Sequence, residues 1–112
     1  MIKYMLALCL SLSTINIAYG ESQLNVDRIW QENDFSYAMV TYTNKTKSTF
    51  NNAVTIKCIA TDHAGNKINY NTRSFFAHEY GPIKPGFQGT LKVPIKLNGI
   101  HMQSINCNVN AW

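Results

Sequence analysis

Two of the three cysteines, Cys58 and Cys107, each sit in the middle of an alternating segment. In AVTIKCIAT, Val54, Ile56, Cys58 and Ala60 share one face. In SINCNVNAW, Ile105, Cys107, Val109 and Ala111 share one face, and Ser104, Asn106, Asn108 and Asn110 the other. Strand side chains alternate with period two, so both sulfurs are expected in one core. The chemistry expected of them is a structural disulfide. The alternatives are two buried free thiols or a redox pair. Redox pairs use a C-x-x-C spacing with one exposed thiol of lowered pKa; here the spacing differs and both positions read as interior. Pairing within one chain or between two stays open, although two inward positions favour one chain.

The histidines, His63, His78 and His101, fall in connections between apolar segments and read as surface residues. A hydrolase needs a nucleophile, a base and an orienting group within reach of one another. No serine here stands in a G-x-S-x-G setting. The acids available for a carboxylate pair are Asp27, Glu32, Asp34, Asp62 and Glu79, and Asp62 is accounted for by the turn it opens. The chain is therefore read as non-enzymatic, with no catalytic residue and no cofactor. Copper carriage is the sharper alternative, because thioether and imidazole ligands suit Cu(I). His101 and Met102 are an adjacent pair of that kind, with Met39, His63 and His78 elsewhere. Adjacent strand residues face opposite ways, and no second His-x-Met or Met-rich cluster joins the pair.

The best candidate surface is aromatic. Phe75, Phe76, His78, Glu79 and Tyr80 precede Gly81-Pro82. Alternation buries one of Phe75 and Phe76 if a strand runs through them, and leaves the other, with Tyr80, for a partner. Aromatic side chains are enriched at interfaces, and function gathers on the loops of rigid β scaffolds. The plainer reading is that these rings close the end of the core. Trp30 and Trp112 divide between the same two roles.

The first 20 residues read as a secretory signal: Lys3, an apolar run from Tyr4 to Leu12, and the small-x-small site Ala18-Tyr19-Gly20. The run is too short to span a membrane, which takes about 20 residues. An uncleaved N-terminal anchor and lipidation at Cys9 are the minor alternatives. Leu8, not a small residue, precedes Cys9. Cleavage leaves residues 21–112 as one domain, exported to the periplasm or the medium, with no transmembrane segment. Losing Lys3 leaves nine Lys and Arg against six Asp and Glu, a net charge of +3. Those cations are scattered, whereas a nucleic-acid reader concentrates them on one face or arm. No nucleic-acid partner is expected. A domain this small is marginal without a staple, and in an exported chain the cysteines supply one.

Six segments carry strand character: near Leu24 to Trp30, Phe35 to Thr43, Ala53 to Thr61, Lys67 to about Phe75, about Thr90 to Ile95, and Ser104 to Trp112. DHAGN is a hairpin turn in which Asp62 caps and Gly65-Asn66 take positive φ. Lys84-Pro85-Gly86 is a second turn signal. Pro94 marks an edge strand or a bulge. Asn44-Lys45-Thr46 fits a glycosylation acceptor but reads as a turn. Short strands joined by turn signals indicate an antiparallel sandwich.

Three stretches carry a resemblance: TYTNKT, VTIKCIATDHAGNKI and IKPGFQGTLKVPI. Their order resembles the immunoglobulin-like bacterial envelope domains of the FxLYD type, punctuated by N-x-T/S, D-x-x-G and L-x-P-G. It covers roughly residues 25 to 110 and departs at the name-giving motif, where Cys58 to Asp62 keeps only the aspartate. The resemblance implies a small all-β immunoglobulin-like antiparallel sandwich of six to seven strands, in an exported interaction module. It supplies no catalytic residue. The expectation is a monomeric binding or accessory module that meets another envelope or extracellular protein through Phe75, Phe76, His78 and Tyr80, or by strand addition at a sheet edge. A small structural subunit of an envelope assembly is a further alternative.

Overall fold

The computed structural model describes residues 22–112. The expected signal peptide, with Cys9, lies outside the described residues. Six strands and one helical turn follow in order: β1 (Gln23–Glu32), β2 (Phe35–Thr43), β3 (Ala53–Thr61), β4 (Lys67–Phe76), α1 (Ala77–Tyr80), β5 (Gln88–Lys96) and β6 (Ser104–Ala111). They form two antiparallel three-stranded sheets, ordered β1-β2-β5 and β4-β3-β6. The fold is a small all-β sandwich, as the alternation and turn signals imply. Its strand order matches strands A-B-E and C′-C-F of an immunoglobulin-type sandwich.

The alternating residues build the core. Ala38, Val40 and Tyr42 of β2 face Val54, Ile56, Cys58 and Ala60 of β3, and Phe75, Val93, Ile95 and Ile105 join from the flanking strands. Cys58 and Cys107 are bonded as register partners on adjacent strands. The link therefore lies within one sheet, unlike the inter-sheet disulfide of antibody domains. Cys58 is fully buried; Cys107 is partly covered and packs against the core.

Turn chemistry sets the strand ends. Asp62 Oδ1 accepts from the backbone N–H groups of Ala64 and Asn66, and Gly65 takes φ +85°. Asn66 keeps a negative φ, contrary to the expectation of a positive one there, because glycine alone supplies the left-handed residue. In the Lys84–Phe87 turn, Gly86 is at φ +91° and Phe87 N–H donates to the Lys84 carbonyl. Asn44 is buried rather than exposed. Its Nδ2 donates to the Ser48 and Ile83 carbonyls, and its Oδ1 accepts from Thr46 N–H and Oγ1. One amide thus satisfies three groups of the polar connection after β2 and ties it to a fourth, the Ile83 carbonyl, in the connection before β5.

The two sides of the sandwich differ. Between β4 and β5, Asn69 Nδ2 donates to the Lys96 carbonyl and Asn71 Nδ2 to the Pro94 carbonyl, stitching the sheets together. Between β1 and β6, no side-chain hydrogen bond among the described residues joins the sheets.

Candidate interaction surface

β4 ends the aromatic segment by alternation. Phe75 is the register partner of Val54 and points into the core, so Phe76, the partner of Ala53, points out. The sequence left open which of the two is buried; it is Phe75, 1% exposed, against 42% for Phe76. Phe75 packs edge-on against Tyr80 and Phe87, with ring centroids 5.4 and 5.3 Å away. Residues 77–80, expected as loop, form one helical turn closed by Gly81 N–H donating to the Ala77 carbonyl. A single turn is too short to show a helical period. It carries His78 back over Phe76, the rings stacked at 5.2 Å, and sets Tyr80 against the core end with half its surface exposed.

Trp112 joins this end of the molecule. Its backbone exchanges hydrogen bonds with Ala53, N–H to carbonyl both ways, continuing the β3–β6 ladder by one residue. Ala53 is therefore flanked in register by Phe76 on one side and Trp112 on the other. Ala53 is buried, while the Trp112 side chain is 51% exposed. Phe76 and Trp112 thus flank the start of β3 with His78 stacked on Phe76, while Tyr80 lies at the same end on the core side, against Phe75 and Phe87. Local alternation finds Phe76, but Trp112 takes its place only through the β3–β6 register, which spans most of the chain.

Trp30 lies on the other sheet. It stacks on Tyr37 at 5.2 Å, and the Arg28 guanidinium sits 4.5 Å above its ring. That side chain is partly covered within its own sheet.

The histidines separate from the methionine. His63, in the β3–β4 hairpin, and His101, in the β5–β6 connection, stack at 5.2 Å, a pairing not evident from their 38-residue spacing. Gln103 N–H donates to the Thr61 carbonyl and brings the two connections side by side. Met102 instead packs against the core. Among the described residues, no group of three or more His, Cys, Asp and Glu gathers where a metal ion could sit. Among the described residues one ionisable group is clearly shifted, and it lies in the core: burial pushes the Tyr42 phenol up, and the hydrogen bond with Ser22 Oγ partly offsets this. No helix of the described residues is long and apolar enough to cross a membrane. Comparison with protein-family models, curated proteins and solved structures found no match.

Proposed function

We propose that the protein is a non-enzymatic exported binding module, in the periplasm or outside the cell, that docks a partner protein through the aromatic end formed by Phe76, His78, Tyr80 and Trp112. The observation that carries this reading is that three large aromatic side chains stay exposed at that one end of the molecule: Phe76 at 42%, Tyr80 at 53% and Trp112 at 51%. The fold had an alternative for them. Phe75 and Phe87 close the same end of the core from within, with one side of Tyr80 against them, so Phe76 and Trp112 are surplus to its closure. Clustered exposed aromatics on a rigid β scaffold are the composition of an interface centre. The Cys58–Cys107 disulfide supports an oxidising compartment.

In-cell crosslinking of the tagged protein beside a Phe76→Ala/Tyr80→Ala variant tests the reading. Both side chains are exposed, so the variant should fold. One dominant crosslinked envelope protein, lost in the variant, is the expected result. A crosslinking pattern that is the same in both samples overturns it.

A further inference from the structure

Each sheet has two edges, and three of the four edge strands carry a device against pairing with another strand. β1 has a register shift between Val26 and Arg28 and carries Asp27, Arg28 and Glu32. β5 carries Pro94, Lys92 and Lys96, and its Pro94 and Lys96 carbonyls are already taken by Asn71 and Asn69. β4 carries Lys67 and Arg73. Lysine, proline and bulges are the means by which edge strands avoid edge-to-edge association. β6 has none of these. Its sequence, SINCNVNA, holds no charge, proline or glycine, and it runs against β3 without a register shift.

Among the described residues, no strand pairs with the outer side of β6. Cys58 and Cys107 stand directly opposite with Cα atoms 4.0 Å apart, the close spacing of a non-hydrogen-bonded antiparallel pair. Ala53 and Trp112, five residues along, exchange both bonds of a hydrogen-bonded pair. By this parity the N–H and C=O groups of Ile105, Cys107, Val109 and Ala111 point away from β3. Those four residues also face inward, yet Cys107, Val109 and Ala111 remain partly exposed. Across the gap, Val26 and Ile29 are the register partners of buried Val40 and Ala38, so they too face inward. They are 38% and 43% exposed because, among the described residues, no strand lies beyond β6 to cover them. In an immunoglobulin-type sandwich that position is filled by the last strand.

We propose that β6 pairs antiparallel with β6 of a second copy about a two-fold axis at Asn108, joining the two β4-β3-β6 sheets into one six-stranded sheet. The four residues with free edge groups are centred on Asn108, so this register uses all of them. Ile105 bonds to Ala111 of the second copy, and Cys107 to Val109. Because the register sum is even, apolar residues meet apolar residues on the inner face. On the outer face, Asn106 meets Asn110 and Asn108 meets itself. A second copy is the fitting occupant because the strand is self-complementary in length, parity and face. It is also the one uncharged edge of a chain with net positive charge, where two copies can approach without like charges meeting. A dimer departs from the monomer expected from the sequence, and the seam borders the aromatic end only at Trp112, the residue after Ala111; Phe76 and Tyr80 lie off β6.

The test uses the exported, disulfide-bonded protein and two matched variants. Asn106→Glu/Asn110→Glu sets like charges opposite each other twice across the seam, and Asn106→Glu/Asn110→Lys sets opposite charges there. Both positions are exposed, and their partners on β3, Ile59 and Thr55, are uncharged, so neither variant strains the single copy. Sedimentation should find a concentration-dependent dimer for the natural protein. Its dissociation constant should be at least about tenfold weaker in the like-charged than in the opposite-charged variant. Amide exchange at Ile105, Cys107, Val109 and Ala111 should slow as concentration rises. A monomer at every concentration, equal dimer affinity in the two variants, or an edge protected only by another polypeptide overturns the proposal. Loss or retention of a partner in the Phe76→Ala/Tyr80→Ala variant leaves the seam unaffected, so the two readings fail separately.

Discussion

Removing the disulfide is the largest single perturbation the fold predicts. Cys58 and Cys107 are 49 residues apart in sequence, and the register already holds them opposite each other. The ladder positions both residues without the bond, so its effect falls mainly on the unfolded chain. In the chain-entropy model, opening a loop of about 50 residues returns roughly 14 cal/mol/K to the unfolded state, or about 4 kcal/mol at 25 °C. A domain of this size is stable by only ~5–15 kcal/mol. It shifts its midpoint by about 4–8 °C per kcal/mol, so the Cys58→Ala/Cys107→Ala variant should melt roughly 15–30 °C lower. Alanine is the right replacement because Cys58 is fully buried, and a serine hydroxyl there would add an unpaired polar group. Urea unfolding followed by tryptophan fluorescence reads the difference. The stability lost should be about 4 kcal/mol, and the slope against urea should rise as the unlinked chain exposes more surface. A loss below about 1 kcal/mol, with the natural protein fully oxidised, would refute the reasoning. It would mean that the unfolded chain keeps β3 and β6 together without the bond.

Two further predictions concern the core. A Cβ built at Gly89 would lie 2.6 and 2.9 Å from two ring atoms of Phe75, which is held edge-on by Tyr80 and Phe87. Gly89→Ala should therefore cost about 1–3 kcal/mol, and less when combined with Phe75→Leu; denaturant unfolding that matches the natural protein would refute the close approach. The Tyr42 phenol is pushed up by burial, partly offset by its hydrogen bond to Ser22, so the folded chain holds that proton more tightly than the unfolded one. The associated stability is full below about pH 10 and falls as pH rises above it. Stability of the natural protein should decline more steeply there than that of Tyr42→Phe, and parallel declines would show that Tyr42 is not the linked group.

Much of the fold was legible because its signals are local. FSYAMVTYT and AVTIKCIAT alternate without interruption, and a period of two needs only neighbouring residues to be recognised. Both strands have the expected boundaries. The cysteine pair was legible for the same reason: two inward positions in two such runs leave one partner each. Asn44 was harder. Its tripeptide read as a turn, which it is, but its burial depends on Ile83, 39 residues away. The cluster of Phe76 with Trp112 and the stacking of His63 on His101 likewise depend on registers and connections that no short window contains.

The edge of the sandwich marks the limit of such reading most sharply. Period two assigns Val26 and Ile29 to the inner face of β1, and it is right: both are paired with buried residues of β2. Face and burial are nevertheless separate properties. The first follows from the backbone of one strand, while the second needs a strand from the other sheet to lie above. Among the described residues β6 is the last strand on that side, so inward apolar residues of β1 stay open to solvent. On the other side, Asn69 and Asn71 reach across to β5 and close the gap. The same local code thus gives a sealed flank and an open one. The open flank is also the one whose edge strand lacks charge, proline and bulge. Solvent-exposed inward residues on β1 and an unguarded ladder on β6 have independent origins in the chain, and one added strand would satisfy both.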